Sequence, residues 1–243
     1  MNKNNLVENL AIITPFKDKN NIKLEKTISC LYNQKISVSI THLILYDYSC
    51  NNISQIEKKF PTKKNYFLRF VSTNKKGIYK AINKGLDIIK KGSYYIVIGA
   101  GDLIFFNDIK KIEISKLLMC QYKLSNSSIY INSLRKTYEG MPYCHNAIIF
   151  KLNSLKYSNK YSICGDYDYF LKFLKHEQIN LSRNKYFNKQ ISIIFESETG
   201  VSSKSIFKKH FENLLINYEN LGLKYVLIYL FLKIKKIIIR IYD

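Results

Sequence analysis

From Leu10 to Ile98 the chain alternates short apolar runs with segments of helical period, and no other feature constrains its fold as much. Leu10–Ile13 is an apolar run closed by Thr14 and Pro15, the pattern of a buried strand entering a loop. Leu24, Thr27, Ile28 and Leu31 then recur at helical spacing. A second apolar run, His42–Tyr46, breaks at Asp47, and Ile53, Ile56 and Phe60 line one helix face that Pro61 closes. Phe67–Val71 is a third strand. The stripe Ile78, Ala81, Ile82, Gly85, Leu86 and Ile89 forms the clearest helix, with Gly92 as its stop signal. Tyr94–Ile98 is a fourth strand, running into Gly99-Ala100-Gly101-Asp102. Strand and helix in strict alternation predict an α/β fold: a mostly parallel, doubly wound sheet with helices on both faces. Ligands of such sheets sit beyond the carboxyl ends of the strands, where Asp47 and Asp102 both fall.

The second half is less regular. A helix is expected around Ile109–Met119, followed by a polar stretch rich in Ser and Asn. Lys and Arg total 39 against 18 acidic residues, a net charge of +21, which favours anionic partners such as nucleotide phosphates, nucleic acid or an acidic membrane surface. The five cysteines form neither a CxxC pair nor a Cys/His cluster, so neither zinc nor a disulfide framework is expected. The N-terminal residues carry no apolar run of the secretory type, and the expected location is cytoplasmic.

Seven segments occur in an order that resembles the small, non-processive family 2 glycosyltransferases of bacterial surface-polysaccharide synthesis. They are ITPFKD, YDYSCNN, KGIYKAINKG, IGAGD, MPYCHNAIIFK, GDYDYFLKF and TGVSS, spanning about Ile12 to Ser203. The resemblance implies the GT-A fold and an inverting transfer of a sugar from a nucleotide-diphosphate donor, with UDP-sugars foremost. The implied acceptor is a saccharide, carried on polyprenyl diphosphate, in O-antigen, capsule or exopolysaccharide assembly. The chain departs from the family at Asn51, Lys75, Lys80, Gly101 and Gly165, where acids are usual or common. The Gln-x-x-Arg-Trp motif of processive synthases is absent, as is tryptophan altogether.

The donor site implied by the resemblance comprises Thr14, Pro15, Phe16, Asp47, Ser49, Gly77, Tyr79, Asn83 and Asp102. Asp47 would accept hydrogen bonds from the base; as a bare residue after a strand it equally suits an Asx turn. Gly77 at a helix start would let main-chain N–H groups approach phosphate, or it simply makes the turn. Asp102 would hold Mn2+ or Mg2+ on the donor diphosphate, since a hard cation takes carboxylate and phosphate oxygens. In GDYDYFLKF, Asp166 is the expected general base and Asp168 its support, with helix capping the alternative for both. His145 is expected either as a hydrogen-bonded structural residue or, by the resemblance, as a substrate or metal contact near the acceptor side, and Ser202 on a loop that closes over the donor phosphates.

From Tyr225 to Ile241 the chain is mostly apolar, with Lys233, Lys236 and Arg240 spaced for one helical face. This divides the chain into a transferase domain, residues 1–220, and a basic amphipathic C-terminal helix, residues 221–243. The apolar run before Lys233 falls far short of the ~20 residues that a spanning helix requires. It suits either the inner face of the cell membrane, where a lipid-linked acceptor resides, or docking onto protein. Two other classes stand beside the transferase. A basic nucleic-acid-binding protein would account for the charge, but the basic residues are spread along the chain without a reading module, so nucleic acid is not an expected partner. A non-catalytic relative would account for the departures, but Asp47, Asp102 and Asp166 are retained.

Overall fold

The computed structural model describes residues 5–6, 9–17, 21–47, 53–74, 77–107, 113–114, 116–181, 186–196 and 205–242. Contacts divide the chain into two compact units: Met1–Asn132 with Asn146–Lys156 and Asn180–Glu198, and Ser133–His145 with Tyr157–Ile179 and Thr199–Asp243.

The first unit holds the described strands. In chain order its elements are β1 (Asn5–Leu6), β2 (Asn9–Phe16), α1 (Ile22–Tyr32), β3 (Ser39–Asp47), α2 (Ile53–Lys59), β4 (Tyr66–Thr73), α3 (Ile78–Ile88), β5 (Tyr94–Val97), β6 (Leu103–Phe106), β7 (Glu113–Ile114), β8 (Leu117–Leu124), β9 (Ile148–Lys151) and β10 (Phe187–Phe195). Eight strands form one sheet in the order β4-β3-β2-β5-β9-β8-β10-β6, and β1 pairs separately with β7. The pairs β3–β4, β2–β3, β2–β5 and β8–β10 are parallel; β9 runs antiparallel to β5 and β8, and β6 runs antiparallel to β10. The expected parallel half is thus present, each strand returned by one helix.

Alternation along β2 and β3 explains why helices lie on both faces. Phe16 and Ile44 point to the side where Leu24 and Ile28 of α1 and Ile53 and Ile56 of α2 pack, with Phe60 closing the cluster. Ile13 and Leu45 point to the opposite side, against Gly85 of α3. Chain order reverses between β3–β2 and β2–β5, so the carboxyl ends of β2 and β5 flank a topological switch point.

The helix expected around Ile109–Met119 is not what forms. Leu117–Met119 begin β8, and Glu113–Ile114 form β7, while residues 108–112 and 115 lie outside the described set. Leu117 through Cys120 are all buried, so their unbroken apolar run is that of a strand covered on both faces, which periodicity alone does not separate from a buried helix.

The second unit contains α4 (Gly165–His176), α5 (Ile206–Leu221) and α6 (Leu223–Tyr242). Tyr161, Cys164, Tyr167 and Leu171 pack with Ile216 of α5 into its core. Tyr157 stacks on Tyr169 with ring centroids 4.1 Å apart. Among the described residues, no helix is long and apolar enough to cross a membrane.

A buried polar chain runs through the parallel half of the sheet. Thr14 Oγ1 lies 2.9 Å from His42 Nε2, and the Tyr66 hydroxyl lies 2.7 Å from His42 Nδ1. Burial holds this imidazole neutral, its pKa pulled down to about 3. The unfolded chain takes up that proton near the ordinary value of 6.5, so its stabilisation is complete above that pH and drains away as pH falls toward 3. His42 should therefore contribute a fall in stability of up to about 1.4 kcal/mol per pH unit as pH drops below 6.5, read by urea unfolding as the difference in slope from a His42 variant. His42→Gln should flatten that part of the profile. Equal slopes for the two proteins would contradict the assignment.

Candidate functional site

The parallel strands bring several expected residues to one edge. Phe16 ends β2 in register with Tyr46, and Asp47 ends β3 in register with Thr73, the last residue of β4. The side chains differ in what they offer. Thr14 is fully buried and bonded to His42, and Phe16 belongs to the core beneath α1 and α2. Pro15 and Asp47 are half-buried at the edge. Ser49 and Ser202 lie outside the described residues. Gly77, with φ +115°, caps the start of α3 and, having no side chain, makes no capping hydrogen bond of its own. Tyr79 and Asn83, half-buried, follow on the same helix, and Lys84 Nζ donates to Ser72 O at 2.6 Å, tying α3 to the end of β4.

Beyond β5 the Gly-Ala-Gly-Asp segment folds back tightly, with Asp102 N–H donating to Gly99 O at 3.2 Å. The buried hydroxyl of Thr27, on α1, fastens the turn: it accepts from Gly101 N–H at 2.8 Å and donates to Asp102 O at 2.9 Å. Two glycines are set by the carboxylates around them. A Cβ on Gly99 would stand 2.6 Å from Asp102 Oδ2, and one on Gly101 would stand 2.4 Å from Glu196 Oε2. Gly101 also has φ +104°, in the region that side-chain-bearing residues rarely adopt.

Glu196, just past β10, is a residue that sequence reasoning missed. Its main-chain N–H donates to Asp102 Oδ1 at 3.3 Å, and Lys26 Nζ sits 2.7 Å from its Oε1. Among the described residues its buried Oε2 has no hydrogen-bond partner. The available signal was local: the acid directly precedes the segment leading into TGVSS. Burial drives the Asp102 carboxyl up to about 6; the N–H groups of Glu196 and Gly99 and the Asn146 amide oppose the rise, and the charge of Glu196 adds to it.

Among the described residues no group of three or more His, Cys, Asp or Glu side chains is placed to hold a metal ion. What the loop offers is two neighbouring carboxylates, one with a buried oxygen that has no hydrogen-bond partner among the described residues. That set fits a divalent cation of the Mg2+ or Mn2+ type, which keeps several waters and takes its other ligands from phosphate oxygens.

In the second unit, Asp166 and Asp168 fall in the first turn of α4. Asp168 is fully buried and committed: Lys172 Nζ is 2.8 Å from its Oδ2, and Asn220 Nδ2 donates to its Oδ1 at 3.2 Å. Asp166 Oδ1 accepts from Tyr167 N–H at 2.9 Å. Burial pushes the Asp166 carboxyl above the ordinary range, against the pull of His145, the helix N–H groups and Lys209. A carboxylate poised upward beside a cation suits a proton acceptor. His145 is buried, with Nε2 2.6 Å from the Tyr157 hydroxyl.

The turn that launches α4 is held by Glu212 of α5. Its carboxylate accepts from the main-chain N–H groups of Ser162, Ile163 and Cys164, at 3.0, 2.9 and 2.7 Å, and from Ser162 Oγ at 3.1 Å. Burial alone would raise its pKa, yet these hydrogen bonds outweigh it and hold the group below its ordinary value.

Asp102→Asn should stabilise the ligand-free protein at pH 8 by about 1–3 kcal/mol, because a carboxyl whose folded pKa is raised costs stability once pH exceeds that value. The gain should vanish near pH 4, where Asp102 is protonated in the folded state. A denaturant series at the two pH values checks this; a destabilised variant at pH 8 would contradict it. Gly101→Ala should cost several kcal/mol or shift Glu196, read as lower thermal stability.

Solved structures share this architecture. S. aureus TarS matches over 87% of this chain and 40% of its own length, with TM-score 0.55 and 14% identity. TarS 1–349 in complex with UDP-GlcNAc matches over 87% of this chain and 67% of its own, with TM-score 0.56 and 13% identity. The mannosyltransferase PcManGT from Pyrobaculum calidifontis, in complex with GDP-Man and Mn2+, matches over 87% and 61%, with TM-score 0.53 and 10% identity. The chain thus spans less than half the length of the first of these TarS chains. No family model matches the sequence, and no curated protein matches it. At these identities the likeness is one of fold, and the fold is GT-A.

Proposed function

We propose that this chain is an inverting glycosyltransferase. It moves a sugar from a nucleotide-diphosphate donor, with a UDP-sugar the first candidate, onto a saccharide acceptor carried on polyprenyl diphosphate. The setting is cytoplasmic, at the inner face of a bacterial membrane, in O-antigen, capsule or exopolysaccharide assembly. The observation that carries the reading is the Asp102 loop at the carboxyl end of β5, beside the switch point, in a fold that other structures use to bind UDP-GlcNAc and GDP-Man. The ordered motifs from Ile12 to Ser203 support it independently.

In the proposed reaction, Asp47 accepts hydrogen bonds from the donor's base, and the N-terminal turn of α3 from Gly77, with Tyr79 and Asn83, lies along the donor. Asp102, with Glu196 beside it, would hold Mn2+ or Mg2+, whose charge offsets that of the diphosphate. Asp166 takes the proton of the acceptor hydroxyl. That oxygen bonds to the anomeric carbon as the carbon–phosphate-oxygen bond breaks on the opposite face, the nucleoside diphosphate leaves, and the configuration inverts. Asp168, neutralised by Lys172, keeps the first turn of α4 in place.

Thermal shift with UDP and GDP, with and without Mn2+, is the first test, because a ligand of the folded state raises its apparent stability. A metal-dependent rise with one nucleotide is expected. Folded protein that responds to none would overturn the donor reading and leave a non-catalytic relative of the fold. Asp166→Asn should keep that rise and lose about 100- to 10,000-fold in turnover. Near-normal turnover would remove Asp166 from the role of base.

A further inference from the structure

The two C-terminal helices present apolar side chains where a folded protein ordinarily hides them. On α6, Leu223, Leu227, Leu230, Phe231, Ile234 and Ile238 are each between 40% and 67% exposed. At 100° per residue these six fall within one arc of the helix, on the side away from buried Tyr229. The preceding helix adds Phe207, 93% exposed, and Phe211 and Tyr218, again at the spacing of one face. The helices are joined at Gly222 and pinned together by Tyr229, whose hydroxyl lies 2.6 Å from His210 Nδ1 and 3.5 Å from Asn213 Nδ2. Scattered apolar residues need no explanation, but two stripes on consecutive packed helices do.

We propose that the α5–α6 hairpin is a docking face for an anionic lipid surface, with the aromatic stripe of α5 as a second contact beside that of α6. The inference deepens the membrane setting of the transferase reading and rests on it for the biological purpose alone. Charge selects the occupant. The sequence of α6 contains five basic residues and no acid. Lys224 and Lys235 are exposed on one border of its apolar arc. On the other border, Lys233 joins Arg135, Glu139 and Tyr229 around a cavity of about 200 Å3, basic on balance. On α5, Glu212 is bound to the turn before α4, and Glu219 is paired with Lys160, so neither carboxylate offsets those lysines. A second copy of the chain would set lysines against lysines, whereas anionic headgroups meet them while the acyl region takes Phe207, Phe231 and Ile234.

The test is co-sedimentation of the full chain with vesicles of phosphatidylcholine alone or containing phosphatidylglycerol, beside its oligomeric state by light scattering. Binding is expected only with phosphatidylglycerol, falling as salt rises. The pair Phe207→Ser and Phe231→Ser should reduce partitioning at least about tenfold. The pair Lys224→Gln and Lys235→Gln should reduce it about fivefold per lysine. Neither pair should alter the thermal shift with nucleotide, which separates failure here from failure of the transferase reading and shows the variants folded. A concentration-dependent dimer that the Phe207/Phe231 pair disrupts, with no vesicle binding, would overturn the proposal in favour of self-association. Vesicle binding that both pairs leave unchanged would overturn it as well.

Discussion

A single hydroxyl joins the first helix to the loop that carries Asp102. Thr27 has no exposed surface, and its oxygen both accepts from Gly101 and donates to the carbonyl of Asp102. It satisfies main-chain groups that the turn leaves without a ladder partner, in a place where an unmet buried donor would cost about 1–3 kcal/mol. Because α1 is itself clamped on the sheet by Leu24 and Ile28, the loop inherits the rigidity of the core. The position of Asp102 is therefore a property of helix packing as much as of the loop's own residues.

Acids recur at places where burial would otherwise expel them, and each is handled differently. Asp168 is neutralised by Lys172 one turn along the same helix, and Glu212 is surrounded by main-chain N–H donors. Asp102 and Asp166 receive partial compensation, and both keep carboxyls above the ordinary range. The fully compensated pair holds the backbone, while in the other pair burial outweighs the compensation and the carboxyls stay raised.

The alternating half of the fold was legible because its information is local. An apolar run of strand length followed by a stripe of helical period needs only neighbouring residues, and β2 through β5 follow it closely. The mixed half was not. Leu117–Cys120 lie in a strand buried on both faces, so their run lacked the alternation that distinguishes strand from helix. Glu196 meets Asp102 across 94 positions of chain, through the pairing of β10 with β6 beside the loop, and no spacing rule reaches that far. Glu212 was hidden likewise, as an ordinary acid on an amphipathic helix whose partners lie 48 to 50 residues upstream. Asp47 and Asp102 could be singled out because each falls where a strand ends, a boundary readable from one segment, whereas Asp166 and Asp168 were expected from the resemblance of GDYDYFLKF to a family motif.

At the far side of the sheet β6 is an edge strand, and its outward main-chain groups do not face bare solvent. The side-chain amide of Gln34, just beyond α1, donates to Ile104 O at 2.7 Å and accepts from Phe106 N–H at 2.9 Å. One carboxamide thereby imitates the donor and acceptor of a neighbouring strand, and Cys30 adds a weak contact to the same Ile104 oxygen at 3.4 Å. An exposed edge is a template on which another chain can extend a sheet, the first step toward amyloid-like stacking. With the template already read by its own glutamine, the sheet ends inside the molecule, and crowded ribosomal synthesis of this lysine- and isoleucine-rich chain has one fewer route to aggregation.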